Sequence, residues 1–481
     1  MIPNWLLQRA YLTPHKIALS FGDEKWTFVQ LKDRALTLAR KLSANDLNEG
    51  DRIALLGPSN AEMVFVIHAC MLAGLEIVML NSRLTEKEIA WQLDDSGASA
   101  VLVFDGLENN VAQSNVQTLL FSKVKESAEE PIELQEQWES DRTLTIMYTS
   151  GTTGFPKGVR QTVGNHVSSA LSSVLNLGLA EDDVWLCAMP LFHISGFSIL
   201  ARSVLYGMEV RLYEKFDAIQ AAKEIQTGTV TRMSVVALTL DKILRELEKK
   251  DAVAHLSFKT MLAGGGPVPV DYLDRAQNRK IPVLQTYGMT ETSSQTATLA
   301  ASDAIRKIGS AGKPLFFNQI KIKDANNAGD KGEVLIRGPH VTPGYIGRFI
   351  ELDPLEDGWL PTGDIGYFDE EGYLYIVDRR ADLIISGGEN IYPAEIENVL
   401  AAHPGILEVG VCGQEHAEWG SVPIAFIVAS GSLEVDELTA FCEERLARYK
   451  VPKVFRFVDQ LPRNASNKLL RRELKEWTGL K

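Results

Sequence analysis

The chain has 481 residues, with 49 lysines plus arginines against 63 aspartates plus glutamates, a net charge of −14. At roughly 150 residues per domain this length predicts two to four domains. With 45% apolar and 23% charged residues, a disordered, collagen-like or coiled-coil chain is excluded. The acidic balance argues against general binding to nucleic acid or anionic membrane, so any anion must be held by local backbone amides and a few placed cations.

Cys70, Cys187, Cys412 and Cys442 form no C-x-x-C pair and lie in apolar or helical surroundings, which reads as reduced core thiols. The opening residues lack the basic-then-apolar layout of a signal peptide. The longest uncharged run, 184–201, contains Pro190, His193, Ser195 and Gly196. A buried strand, loop and helix is expected there rather than a membrane span, and the expected location is the cytoplasm.

In chain order, Thr27 with Gln30 makes a capping box, followed by Leu31, Ala35, Leu38, Ala39 and Leu42 at helical spacing. A strand is expected over 52–56, an apolar helix over 62–73 and a strand over 76–80. Thr85 with Glu88 opens another helix, and 100–104 is again strand-like. Such alternation predicts right-handed crossovers and a mostly parallel, helix-covered sheet. The acidic stretch 105–140 reads as a surface excursion. Alternation resumes from Thr143 to about residue 300. Short strands at 320–323 and 333–337 between Gly and Asp turns then suggest a small antiparallel subdomain, about 308–377. From Asp378 the pattern is a compact α+β unit, with a helix starting at Pro393, strands near 408–411, 422–428 and 454–458, and a helix carrying Leu438, Phe441, Cys442 and Leu446. The expected fold class is therefore α/β, with an N-terminal domain over 1–377 and a C-terminal α+β domain over 378–481.

The most informative stretch is Thr149, Ser150, Gly151, Thr152, Thr153, Gly154, Phe155, Pro156, Lys157 and Gly158, directly after an apolar strand over 144–148. Its glycines let the backbone approach a phosphate, its hydroxyls can donate to phosphate oxygens, and Lys157 adds a charge. Gly158 after the lysine excludes a Walker A loop.

This loop resembles the signature of the adenylate-forming enzymes, which include acyl- and aryl-CoA synthetases, peptide-synthetase adenylation domains and beetle luciferases. The likeness covers essentially the whole chain in the family's order. Pro190 to Gly196, with Phe192, His193, Ser195 and Gly196, is similar to the segment beside the acid pocket. Gly264, Gly265, Gly266 and Pro267 resemble the turn that passes the adenine. Gln285, Thr286, Tyr287, Gly288, Met289, Thr290 and Glu291 resemble the aromatic, threonine and acid motif, and Thr362, Gly363 and Asp364 the ribose motif. Asp378 and Arg379, followed by Gly387, Gly388, Glu389 and the run to Pro393, resemble the hinge and first loop of a mobile C-terminal domain, and Pro462 to Lys468 its terminal lysine loop.

That resemblance implies ATP, Mg²⁺ and coenzyme A as reaction partners. A carboxylate attacks the α-phosphate of ATP, so the site must cancel charge where two anions meet. Tyr287 offers adenine a flat face and Asp364 can accept both ribose hydroxyls. Arg379 belongs to the same nucleotide set. Thr290 can hold the α-phosphate, and Glu291 the Mg²⁺. Lys468 would contact both carboxylate and phosphate. His193, grouped with these, is expected as a pocket wall rather than a proton-transfer group. Two positions depart from the family pattern. Asn467 stands where glycine usually precedes the lysine, and asparagine tolerates left-handed backbone. Ala381 replaces the usual Asp or Lys pivot, so rotation there relies on backbone freedom, with Arg380 or Asp382 as possible participants.

An acid that would hold a substrate amine is missing from 188–200, and the chain ends at Lys481 without a following carrier domain. A free-standing CoA ligase, monomeric or dimeric, is the expectation. The opening residues, the segment 378–393 and the lysine loop resemble the family branch that takes o-succinylbenzoate, the aromatic dicarboxylate of menaquinone biosynthesis. A dicarboxylate needs a cation or several amides to bind its spectator carboxylate, and Arg202, Lys242 and Lys313 are the candidate cations. The rival readings are a ligase for another carboxylic acid and a non-catalytic nucleotide sensor on the same fold.

Overall fold

Both capping boxes form. Thr27 Oγ1 accepts from the Gln30 amide while Gln30 Oε1 accepts from the Thr27 amide, opening helix Phe28–Ser43. Thr85 and Glu88 do the same for helix Glu86–Ser96. Each box satisfies two amides that the first helical turn leaves without partners. The stripe Leu31, Ala35, Leu38, Ala39 and Leu42 is buried, as its spacing requires. Helix Ala61–Ala73 is buried along nearly its whole length, the only stable place for a helix apolar on every side. This computed structural model describes residues 1–149, 155–266, 268–379, 382–386, 389–416, 419–446, 448–464 and 467–479, and for Arg379, Glu389 and Asn390 the backbone alone.

Among the described residues, two large sheets carry the N-terminal part. The first has six strands, in the order Lys157–Thr162, Thr143–Thr149, Glu76–Met79, Arg52–Leu56, Ala100–Val103 and Gln117–Leu120, all parallel except the first. The second has nine. Its parallel centre runs Val283–Tyr287, Thr260–Ala263, Arg232–Val235, Val184–Cys187, Glu209–Leu212 and Ile17–Phe21, with antiparallel strands at both edges. One apolar cluster, including Trp5, Phe28, Phe65, Trp138, Trp185 and Phe197, spans both sheets and locks them together.

The α/β expectation is borne out, with one element unforeseen and one misread. The hairpin Ile17–Phe21 and Glu24–Thr27, which the sequence reading did not assign, extends the second sheet, with Ile17–Phe21 parallel to Glu209–Leu212 nearly two hundred residues on. The stretch 105–140 is no mere excursion. Gln117–Leu120 is the edge strand of the first sheet, helix Phe121–Glu126 buries Phe121 and Val124, and Trp138 packs edge-on against Trp5 at 5.5 Å. Gln117 and Thr118 are exposed and Leu119 alone in that strand is buried. An edge strand that shows so little to the core has almost no hydrophobic signal.

A four-stranded antiparallel sheet follows, Gln319–Ile322, Gly332–Arg337, Leu360–Phe368 and Leu374–Arg379. The last sheet joins Glu389–Ile391, Ile384–Ser386, Gly420–Ala429, Ile406–His416 and Val454–Phe457. Helices Pro393–Ala401 and Val435–Glu443 cover it through Ile396, Leu400, Leu438 and Cys442. All four cysteines are buried and unpaired. Among the described residues no helix is long and apolar enough to cross a membrane, and the run 184–201 is the expected strand, loop and helix.

Candidate active site

Strands Thr143–Thr149 and Lys157–Thr162 pair antiparallel at the sheet edge with Thr149 opposite Lys157. Ser150, Gly151, Thr152 and Thr153 lie outside the described residues. Lys157 Nζ sits 5.0 Å from the Tyr345 ring and 5.5 Å from the Phe349 ring, a cation held over two aromatic faces. Gly158 permits that packing, since a Cβ there would lie 2.6 Å from Ile346 Cγ1.

Strand Val283–Tyr287 delivers Gln285, Thr286 and Tyr287 to its carboxyl end, where open α/β sheets bind ligands. Gln285 Nε2 donates to the Ser310 carbonyl at 3.2 Å, and Thr286 Oγ1 to the Ala297 carbonyl at 2.9 Å. Gly264 packs on Thr286, Gly265 is left-handed at φ 81°, Gly266 is exposed, and Pro267 lies outside the described residues. At Gly288 the backbones touch so closely that a Cβ would lie 1.6 Å from the Ser294 carbonyl oxygen. The chain then turns through Thr290–Thr292, braced by the Met289 amide donating to Thr292 Oγ1 at 2.9 Å. The Glu291 carbonyl accepts from the Thr342 amide at 2.7 Å. Burial raises the Tyr345 phenol, and the Glu291 charge adds to the rise, so that carboxylate acts electrostatically on the Tyr345 phenol.

Asp364 reaches the same place from strand Leu360–Phe368. Thr362 Oγ1 donates to the Val334 carbonyl at 2.8 Å and accepts from the Asp364 amide at 3.1 Å, while Gly363 takes φ 72° between them. The Asp364 carboxylate is buried and accepts from Tyr287 Oη at 2.7 Å. Arg379 is its register partner on the neighbouring strand. The aromatic, ribose and hinge motifs therefore meet at one point.

His193 precedes helix Ile194–Tyr206 and packs on Phe192 with ring centroids 4.7 Å apart. Burial first, and Arg83 second, push its pKa down to about 4, so it is neutral at pH 7. That suits a wall better than a proton carrier. Its Nε2 has no partner among the described residues. Gly196 is required where it stands, because a Cβ would lie 2.3 Å from the Pro190 carbonyl oxygen. Ser195 is half-buried beside it. Two turns along the same helix, Arg202 is 1% exposed, and its described hydrogen bonds end on neutral oxygens, Ser294 Oγ at 3.2 Å and Gln295 Oε1 at 3.3 Å. Its Nε has no partner among the described residues, and burial lowers its pKa. Of the three candidate cations, Lys242 is exposed on helix Ala237–Lys249 and Lys313 lies over the Tyr373 ring at 4.6 Å. Arg202 alone is buried next to both the acid-pocket segment and the turn after Tyr287.

In the C-terminal part, Asp378 Oδ2 accepts from the Ala394 amide at 3.0 Å, and Arg471 lies 3.5 Å from Asp378, 3.3 Å from Asp382 and 2.5 Å from Glu397. Ala381, Gly387 and Gly388 lie outside the described residues, as do the side chains of Arg379 and Glu389. Lys468 is exposed, and Asn464 Oδ1 accepts from its amide at 2.8 Å. Asn467 takes φ 60°, so the asparagine adopts the left-handed turn usually made by glycine. Thr342 and Tyr345 escaped the reading of the sequence. The Pro343 and Gly344 between them mark a turn, yet nothing local says that this turn supports Glu291 and Lys157.

The sequence model described as AMP-binding enzyme matches residues 6–346, and that of the AMP-binding enzyme C-terminal domain matches residues 395–468. The chain belongs to the AMP-binding enzyme family. It is 50% identical over 480 residues to 2-succinylbenzoate–CoA ligase of Geobacillus kaustophilus, covering 98% of this chain and 97% of that one. Two solved structures of Bacillus subtilis o-succinylbenzoate CoA synthetase are 46% identical to it. The complex with the acyl-adenylate intermediate OSB-AMP has a TM-score of 0.92, covering 98% of each chain. The complex with ATP and a magnesium ion has a TM-score of 0.91, covering 98% of this chain and 99% of that one.

Proposed function

We propose that the chain is an AMP-forming acid–thiol ligase that joins o-succinylbenzoate to coenzyme A for menaquinone biosynthesis, working in the cytoplasm. One finding carries the choice of acid: 46% identity, over 98% of both chains, with an enzyme solved holding OSB-AMP. In the first step a substrate carboxylate oxygen attacks the α-phosphorus of ATP and pyrophosphate leaves. In the second, the thiol sulfur of coenzyme A attacks the acyl carbon, the thiol proton is lost and AMP leaves.

Tyr287 lies along the adenine and Asp364 takes the ribose hydroxyls, a carboxylate fixed in advance by the tyrosine hydroxyl. Arg379 and the loop Thr149 to Lys157 face the phosphates. Thr290 donates to the α-phosphate. Among the described residues no three His, Cys, Asp or Glu side chains cluster into a metal cage. Glu291 beside the Thr290 hydroxyl fits Mg²⁺ instead, which takes one or two carboxylates and completes its shell with phosphate oxygens. When bound there, the ion neutralises charge on those oxygens. His193, Phe192, Ser195 and Gly196 wall the acid, and Arg202 receives its aromatic carboxylate. A buried cation whose described bonds end on neutral oxygens gains most from an anionic ligand. Residues 1–377 hold acid and nucleotide. Residues 378–481 bring Lys468 to the reacting oxygens and then turn about the segment around Ala381, so that Gly387, Gly388 and Glu389 line the coenzyme A side.

The test is isotope exchange between pyrophosphate and ATP without coenzyme A. Exchange that depends on o-succinylbenzoate, and is much weaker with benzoate or medium-chain acids, supports the reading. Equal exchange with those acids overturns the choice of substrate.

A further inference from the structure

Gln161 lies four residues beyond Lys157 on the same strand, fully buried, at the point where that strand bulges out of register with Thr143–Thr149. Its Nε2 donates to the backbone carbonyl of Thr290 at 2.8 Å, across 129 residues of sequence. Its Oε1 accepts from Thr145 Oγ1 at 2.7 Å, and Thr145 Oγ1 lies 2.9 Å from His166 Nε2. The carbonyl at the far end fixes every donor in this chain. A carbonyl can only accept, so the amide nitrogen of Gln161 must face Thr290. The amide oxygen then needs a donor, which is the Thr145 hydroxyl, and that hydroxyl in turn accepts from His166 Nε2–H. Burial holds His166 neutral by pushing its pKa down to about 3, so the ring keeps a single donor.

The backbone that Gln161 grips is under strain. Ser293 and Ser294 follow at φ 48° and 110°, conformations a serine rarely adopts. Such strain persists only where the surroundings over-determine the turn. The Thr342 amide holds the Glu291 carbonyl one residue on, so both carbonyls of the turn's first two residues are tied from outside it.

We propose that Gln161 is a positioning residue that couples the strand after the phosphate loop to the Thr290–Glu291 turn, setting the hydroxyl and carboxylate of that turn relative to the phosphates of ATP. The inference rests on the ligase reading above, in which Thr290 and Glu291 act in adenylate formation. Gln161→Glu keeps size and shape but replaces the gripping donor by an acceptor. Adenylate formation, read as pyrophosphate–ATP exchange, should fall about ten- to hundredfold in kcat. The Mg²⁺ concentration for half-maximal exchange should rise. Thioester formation from supplied acyl-adenylate needs neither pyrophosphate loss nor the metal, and should stay within about twofold. Thr145→Val, which removes the donor to Gln161 Oε1 and the acceptor of His166 Nε2–H but leaves the bond from Gln161 to Thr290, should shift both exchange readouts in the same direction by less, and serves if Gln161→Glu does not fold. Equal loss in both half-reactions, or unchanged exchange in either folded variant, overturns the coupling. If the unaltered chain shows no exchange at all with o-succinylbenzoate, the ligase reading fails instead.

Discussion

Tyr287 and Asp364, 77 residues apart, are joined by a 2.7 Å hydrogen bond from the phenol to Asp364 Oδ2. The carboxylate is buried, so its orientation is set before any nucleotide arrives. A hydrogen bond to an ionised group contributes about 1.5–3 kcal/mol. Asp364→Ala should therefore raise KM for ATP about ten- to hundredfold, and Tyr287→Phe, which loses only the orienting bond, about three- to tenfold. KM for the acid should change little in either. Steady-state kinetics with each substrate varied checks this, and a rise shared equally by ATP and acid would contradict it.

On the proposed reading, Lys468 serves adenylate formation and not thioester formation. Lys468→Ala should abolish adenylate formation while largely sparing thioester formation from supplied acyl-adenylate, because its charge acts where carboxylate and phosphate meet. Rapid-quench measurement of each half alone is the check. Equal loss of both would assign the lysine another role.

Arg202→Met removes a buried cation whose described bonds end on neutral oxygens, so the fold should survive. KM for o-succinylbenzoate should rise about ten- to hundredfold, the worth of a charge-assisted contact to a carboxylate. KM for an analogue lacking the aromatic carboxylate should not. Lys242→Met and Lys313→Met should leave both values unchanged, since these side chains are exposed. An unaltered KM for o-succinylbenzoate after all three substitutions would refute a cationic site for the spectator carboxylate.

Four buried histidines make stability depend on pH. Burial pushes His68 and His193 down to about 4, with Arg83 adding to the effect at His193, and pushes His166 and His340 down to about 3. The unfolded chain takes up these protons below about pH 6.5, whereas the folded chain does not. Because the unfolded state then binds more protons, stability falls as pH falls from about 6.5 toward 4, with a slope up to about 1.4 kcal/mol per pH unit for each histidine. Urea midpoints between about pH 7 and 5 lie above the range where most carboxylates titrate and isolate this effect. A midpoint that holds or rises on acidification would contradict neutral burial.

What the sequence reveals follows from how local the physics is. Capping boxes at Thr27 and Thr85 need three residues each, and both form where read. The apolar stripe from Leu31 to Leu42 is equally local. Placing Ile17–Phe21 beside Glu209–Leu212 requires a partner nearly two hundred residues away that no periodicity encodes. Gln117–Leu120 is hidden by its polar edge. The same division runs through the candidate site. The loop at Thr149 and the motifs at Tyr287, Asp364 and Lys468 stand out in the sequence. The bond from Tyr287 to Asp364, the rings of Tyr345 and Phe349 over Lys157, and the grip of Gln161 on Thr290 exist only once separate sheets are packed together.

The most direct test is AMP release from ATP with o-succinylbenzoate, measured with and without coenzyme A. The account predicts rapid, continuous release only when coenzyme A is present, with o-succinylbenzoyl-CoA formed in equal amount. Without it, pyrophosphate release should stop near one turnover and AMP release should be negligible, because AMP stays bonded in the acyl-adenylate until the thiol displaces it. Continuous AMP release that ignores coenzyme A, or none in either case, would contradict a two-step ligase for this acid.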